Sequence, residues 1–267
     1  MKFGIENIAH SFATARQQER AALMPYYPVG YPSLATSLEV LVTLAEAGAD
    51  LIEIGVPFSD PLADGPTIQK ATQVALERGA SLAASLEQAA ALRQRGVVLP
   101  ILLMSYFNPL LAYGLPRLVA EATAIGIDGL IVPDLPPEEA GELASLCQKQ
   151  ERALIFFLAP TSTPERLAAI PTQASGFLYL VSLTGVTGAR QALPSDLQSF
   201  IARARAQTSL PLAVGFGIST PIQAAAVGKL ADGVIVGSAL IEAVELASDP
   251  CQAARYYVRS LRQALGA

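Results

Sequence analysis

Residues 51 to 66 read LIEIGVPFSDPLADGP, and they put two carboxylates, Glu53 and Asp64, where a short apolar strand opens into a loop of turn formers. An acid flanked by apolar residues loses its hydration, a cost that chains carry mainly where an acid is needed for proton transfer. Alternation along Leu51-Ile52-Glu53-Ile54-Gly55 puts Leu51, Glu53 and Gly55 on one face of the strand and Ile52 and Ile54 on the other. A buried ion pair is the rival explanation for Glu53, but Arg and Lys are sparse near the strand ends. Asp64-Gly65-Pro66 on its own is a turn. Its place downstream of Glu53 keeps Asp64 open as a second candidate carboxylate beside that structural reading. Asp60, directly before Pro61, reads as a turn or interface residue.

Other chemistries lack their residues. The only histidine is His10, near the N-terminus, which leaves no His-bearing metal site and no His electrophile. The four lysines, Lys2, Lys70, Lys149 and Lys229, lie outside the strand runs, which disfavours a Schiff base. Cys147 and Cys251 have neither metal-ligand spacing nor a disulfide pattern. Carboxylates and tyrosines remain for proton transfer: Glu53, Asp64, Asp60, Asp134, Tyr106 and Tyr179.

The elements that must position them alternate throughout. Strand-like runs fall at 24 to 30, 50 to 55, 100 to 104, 129 to 133, 153 to 158, 177 to 182, 211 to 217 and 232 to 237. Helix starts lie between them at Ser33, at Pro136 to Glu139, at Thr163-Pro164-Glu165 and at Thr220-Pro221. Eight strand-helix units in 267 residues, with no linker or composition shift, predict an α/β fold: a single (β/α)8 TIM barrel over 1–267, with an extra N-terminal helix around 7 to 22 capping the bottom. An open doubly wound sheet is the rival architecture. The composition, 52% hydrophobic and 15% charged, suits strands buried on both faces. A net charge of −5 without a basic run excludes nucleic acid as a main partner. No apolar run reaches membrane-spanning length and no signal segment is recognisable, so a cytoplasmic enzyme is expected.

In such a barrel the site forms at the C-terminal ends of the strands. Three glycine clusters follow the last three strands: TGVTG (184 to 188), GFGIS (215 to 219) and GSA (237 to 239). Glycines let backbone N–H groups approach an anion, and Ser238 opens a short helix whose N-terminus favours one. Together they predict a small phosphorylated ligand.

PFSDPLADGPTIQKA (57 to 71), preceded by Glu53, closely resembles the signature of the tryptophan synthase alpha chain. LLMSYFNP (102 to 109), VPDLPPEE (132 to 139), TGVTG, GFGIS and VGSA follow in the same order, so the likeness spans essentially the whole chain. The resemblance implies a lyase of L-tryptophan biosynthesis that cleaves indole-3-glycerol phosphate, by retro-aldol chemistry, to indole and glyceraldehyde 3-phosphate. It implies Glu53 as acid/base and Asp64 as acceptor for the indole N–H. An apolar barrel mouth should raise the pKa of Glu53, while Asp64 on its loop stays ionised.

The same resemblance implies substrate contacts at Tyr26, Leu103, Tyr106, Ile131, Phe157, Tyr179 and Thr187, although ordinary barrel core is an equal reading for Leu103 and Ile131. Phosphate would meet Gly188, Gly217, Gly237 and Ser238 beside Phe216. Ser59, Asp60, Pro61, Asn108 and Pro109 would face a beta chain. That partner would hold pyridoxal phosphate, receive indole through a tunnel and complete an alpha-beta-beta-alpha heterotetramer, with no cofactor or metal in this chain. TGVTG would close over the substrate, bringing Thr187 to Asp64. Two positions depart from the family: Leu183, where some members have Arg, and Tyr31-Pro32, where Asp-Pro is frequent. Both bear on lid closure and activation rather than on the chemistry. The alternatives are a stand-alone indole-glycerol phosphate lyase and a non-catalytic activator of the beta chain.

Overall fold

A computed structural model describes residues 2–181, 196–215 and 217–266. Eight parallel strands close into one barrel in chain order: β1 (Ala22–Pro28), β2 (Ile52–Gly55), β3 (Ile101–Met104), β4 (Gly129–Ile131), β5 (Ala153–Leu158), β6 (Leu178–Val181), β7 (Leu212–Gly215) and β8 (Gly233–Val236). The barrel expected from the alternation is therefore present, and closure between β1 and β8 rules out the open sheet. β1 begins two residues earlier than the sequence suggests because Ala22 and Leu23 pair with Gly233 and Val234.

The helices are α1 (Ile5–Gln17), α2 (Leu34–Ala47), α3 (Pro66–Glu77), α4 (Leu82–Gln94), α5 (Phe107–Tyr113), α6 (Leu115–Ile125), α7 (Gly141–Lys149), α8 (Pro164–Gln173), α9 (Leu197–Arg205), α10 (Pro221–Gly228), α11 (Ser238–Glu245) and α12 (Pro250–Ala264). The start signals act as side-chain caps at Ser33, Thr163 and Thr220, each accepting a backbone N–H from the first turn. At Pro137–Glu139 the chain makes a short 3-10 turn before α7. No described helix is long and apolar enough to cross a membrane.

Parallel register fixes which side chains share the interior. Glu53 pairs with Tyr26 on one side and Leu102 on the other, Met104 pairs with Ile131, Phe157 with Tyr179, and Tyr179 with Ala213. Small residues occupy the lower interior. A Cβ on Gly233 would come within 3.1 Å of both Met24 Sδ and the Phe12 ring, and one on Gly129 within 3.0 Å of Leu102. α1 closes that lower end: Phe12 packs on Phe177 at 5.6 Å between ring centroids, and Asn7 donates to Asp128 and to the Val98 carbonyl. The N-terminal cap is real but ends at Gln17, short of the expected 22.

Three carboxylates, Asp128 fully buried and the other two partly so, stitch the same end. Asp50, Asp128 and Asp232 stand just before β2, β4 and β8. Each accepts the N–H of Leu23, Ile101 or Leu212 at the start of the neighbouring strand. Each also pairs with an arginine, Arg20, Arg93 or Arg205. The bottom of the barrel is thereby polar and satisfied, which leaves the upper rim for chemistry.

Candidate active site

Glu53 lies in the middle of β2 and is completely buried. Neither carboxylate oxygen has a hydrogen-bond partner among the described residues. Loss of water with no compensating donor disfavours the charged form, and its pKa is pushed up from 4.5 to about 8. Among the described residues no cation pairs with it, so none supports the ion-pair explanation. A carboxyl that holds its proton at neutral pH is suited to act first as an acid.

Tyr26 and Tyr179 stand on the same interior face, and burial raises both phenols well above their usual range, with Glu53 and Asp64 adding to the effect. Their rings are accommodated by glycines on the adjoining strands. A Cβ at Gly55 would sit 2.2 Å from the Tyr26 hydroxyl, and one at Gly215 would sit 2.4 Å from the Tyr179 hydroxyl. Gly215 thus ends β7 to admit a ring, a role different from the anion-approach role expected for the start of GFGIS. Phe157 stacks on Tyr179 with ring centroids 4.7 Å apart. Ile131 is buried on the interior face of β4.

Leu103 requires a correction. It pairs with Ile54, so it shares the outward face that packs against helices, and Leu102 takes the interior position beside Glu53. The run PILLM has no alternation that distinguishes its two leucines; only pairing with β2 does so.

Asp64 sits in the loop between β2 and α3. Tyr106 donates its hydroxyl to Asp64 Oδ2 at 3.0 Å, while the Ala63 N–H donates to the Tyr106 oxygen at 2.9 Å. Phe58 packs on the Tyr106 ring at 5.4 Å. The loop is less open than its turn-rich sequence suggests. Burial raises the pKa of Asp64 from 3.8 to about 6, opposed by the Tyr106 hydrogen bond. The group remains mainly ionised at neutral pH, as expected, with a smaller margin. Burial thus pushes the two carboxyls to different values, about 8 for Glu53 and about 6 for Asp64, an arrangement able to divide acid and base roles between them.

Asp134 has a structural role: it accepts the N–H of Phe107, the first residue of α5, at 2.8 Å. Gly237 caps α11 and Ser238 is its first residue, as the sequence suggests. Gly217 has φ +82° with open space where a side chain would be. Ser59 and Asp60 are exposed and bonded to each other at 2.5 Å, and Pro61 follows them in the same loop. Asn108 and Pro109 are in the first turn of α5. Thr187, Gly188 and Phe216, together with TGVTG and Leu183, lie outside the described residues.

Sequence reasoning missed Leu102, Phe58 and Gln69, whose side-chain amide donates to the Asp64 carbonyl at 2.9 Å. The only signal for Gln69 was its place one turn into the helix that follows Asp64.

A family model described as the tryptophan synthase alpha chain matches residues 12–264. The chain is 53% identical to the tryptophan synthase alpha chain of Chloroflexus aurantiacus over 98% of its own length and 99% of the relative's. It is 52% identical to that of a Roseiflexus species, with 97% and 100% covered. Among solved structures it is similar to Mycobacterium tuberculosis tryptophan synthase, with TM-score 0.91, 38% identity and coverage of 97% and 98%. It is also similar to the tryptophan synthase alpha subunit of Legionella pneumophila, with TM-score 0.90, 38% identity and the same coverage. With a closed barrel, a fully buried glutamate in β2 and a second carboxylate in the loop that follows it, and with relatives matched over nearly their full length, the chain belongs to the tryptophan synthase alpha chain family.

Proposed function

We propose that Glu53 and Asp64 together carry the lyase reaction of this family, cleaving indole-3-glycerol phosphate to indole and glyceraldehyde 3-phosphate in L-tryptophan biosynthesis. The observation that carries the assignment is the fully buried Glu53 carboxyl, without a hydrogen-bond partner among the described residues and with its pKa pushed up to about 8. Glu53 donates its proton to C3 of the indole. The ring nitrogen takes up the positive charge, and the Asp64 carboxylate, held by Tyr106, accepts its N–H. The neighbouring side-chain hydroxyl then gives its proton to the Glu53 carboxylate. The carbon–carbon bond breaks, its electron pair restores the aromatic ring, and the oxygen becomes the aldehyde. Glu53 ends protonated, so the cycle closes without an external acid. These steps use only carboxyl groups, and no cofactor is assigned to this chain.

Tyr26, Leu102, Ile131, Phe157 and Tyr179 would supply the apolar walls for the flat ring, and Tyr106 would hold Asp64. Gly217, Gly237 and Ser238, with Gly188 and Phe216, would receive the phosphate, and Thr187 would meet Asp64 on closure. The substrate would thus span the barrel mouth, its phosphate over β7 and β8 and its indole between β2 and β6.

Ser59, Asp60, Pro61, Asn108 and Pro109 are assigned to the face that meets a pyridoxal-phosphate-bearing beta chain in an alpha-beta-beta-alpha assembly that channels indole in the cytoplasm. Leu62, 93% exposed, and Leu111, 53% exposed, support this reading, because they add apolar surface to the same two segments. Family membership disfavours a free-standing lyase or a retired activator. Indole release by the purified chain, alone and titrated with a tryptophan synthase beta chain, tests the reading. Slow cleavage that rises many-fold with the partner is expected. Fast unassisted cleavage would overturn the coupling, and no cleavage in either condition would overturn the assignment.

A further inference from the structure

α3 and α11 follow β2 and β8, the two strands that flank β1, and so begin near the two assigned ends of the substrate. α3 begins two residues after Asp64, and the Gln69 side chain on its first turns holds the Asp64 carbonyl at 2.9 Å. α11 begins at Ser238, which is assigned to phosphate. Between the helices run two cross-links. Thr67 donates its hydroxyl to Glu242 Oε1 at 2.9 Å, and Lys70 is paired with the Glu245 carboxylate.

Thr67 and Lys70 are three apart on α3, and Glu242 and Glu245 are three apart on α11, so each pair shares one helix face. Rotation or sliding of either helix would disturb the short Thr67–Glu242 bond, whereas the long Lys70 side chain can follow such a movement. Glu242 lies about one helical turn from Ser238. The covalent and hydrogen-bonded path from the phosphate end to Asp64 therefore consists of one turn of α11, one hydrogen bond and the first turn of α3.

Both contacts are solvent-exposed, with Lys70 63% and Glu245 33% exposed, so neither contributes much to global stability. Position is a different matter, since displacement of a catalytic group by about 1 Å can cost on the order of a hundredfold in rate. We infer that Thr67 and Glu242 are positioning residues that yoke α11 to α3, so that engagement of the substrate phosphate and alignment of Asp64 on the indole N–H are coupled. The inference rests on the lyase reading above and specifies how the two ends of its substrate communicate.

The two ends can be probed with separate molecules: glycerol 3-phosphate for the phosphate end and indole for the ring. By linkage, each ligand changes the affinity of the other by the same factor. Calorimetric titration of the full-length wild-type chain should show indole binding about 5- to 20-fold tighter when glycerol 3-phosphate is saturating. In Thr67→Val and Glu242→Ala the factor should fall to about 1–2, with glycerol 3-phosphate affinity retained and kcat for indole-3-glycerol phosphate reduced about 5-fold at unchanged KM. Thr67→Ser keeps the donor and Glu242→Gln keeps an acceptor, and both should restore coupling.

Wild-type coupling in both Thr67→Val and Glu242→Ala would overturn the inference. Failure of the two conservative variants to restore coupling would do the same, since it would indicate a packing effect. A wild-type chain that neither binds glycerol 3-phosphate nor cleaves the substrate would overturn the lyase reading and the inference with it. A chain that cleaves normally but shows no coupling would overturn the inference alone.

Discussion

Replacing Glu53 with Gln should remove most of the activity and, at the same time, make the folded protein more resistant to rising pH. The Glu53 carboxyl is fully buried without a hydrogen-bond partner among the described residues, and its pKa is pushed from 4.5 to about 8. The folded state therefore holds this proton more tightly than the unfolded state does. Below about pH 4.5 both states are protonated and the residue costs nothing. As pH rises from there to about 8, the unfolded chain releases its proton while the folded chain retains it, so stability is lost through that window and levels off above it.

The cost is below about 1 kcal/mol at about pH 5 and about 3 kcal/mol at about pH 7. Gln does not titrate, and any constant cost of burying its amide cancels when two pH values are compared. The stability of Glu53→Gln relative to wild type should therefore grow by about 2–2.5 kcal/mol between about pH 5 and pH 7. Urea denaturation of both proteins at the two pH values measures it directly, and a thermal melt should show the Tm difference widen by about 5–10 °C. Cleavage of indole-3-glycerol phosphate should fall by about 10²–10⁴-fold. A stability difference that stays constant across this range would mean that Glu53 is ionised in the folded free chain, and the argument from desolvation would be wrong.

Activity of the free enzyme should be bell-shaped in pH. It should rise as Asp64 ionises near about 6 and fall as Glu53 loses its proton near about 8, and kcat/KM measured against pH reports both limbs. Tyr106→Phe removes the hydroxyl that lowers the Asp64 pKa, so the acidic limb should move to higher pH; a limb that stays in place would refute the Tyr106–Asp64 link. Gly215→Ala forces a methyl to within 2.4 Å of the Tyr179 hydroxyl and should cost about 1–3 kcal/mol in denaturant unfolding; unchanged stability would mean that the ring has room to move. Asp128→Ala leaves Arg93 buried without its carboxylate and strips the Gly4 and Ile101 N–H groups of their acceptor, a loss of about 3–5 kcal/mol that the same unfolding measurement would detect.

Much of this was legible in the residues. Eight apolar runs alternating with capped helical segments favour a closed barrel over an open sheet because the repeat neither breaks nor reverses along the chain. Glu53 was visible as a chemical residue because an acid inside LIEIG must lose its water wherever that strand packs. Ser238 was visible because GSA after the last strand leaves few places for a helix to begin. Such properties are local: they follow from periodicity, from the chemistry of one side chain and from turn residues, and the chain carries them before it folds.

Three features were decided only by the tertiary structure. Whether Leu102 or Leu103 faces the barrel interior depends on register with β2, which a uniformly apolar run does not encode. That the Asp64 pKa is pushed up to about 6 depends on the packing that dries its loop, opposed by the hydrogen bond from Tyr106, 42 residues away. The yoke of Thr67 to Glu242 joins residues 175 apart in the chain. Each is a relation between distant segments, and chain closure, rather than any local propensity, sets the distance between them.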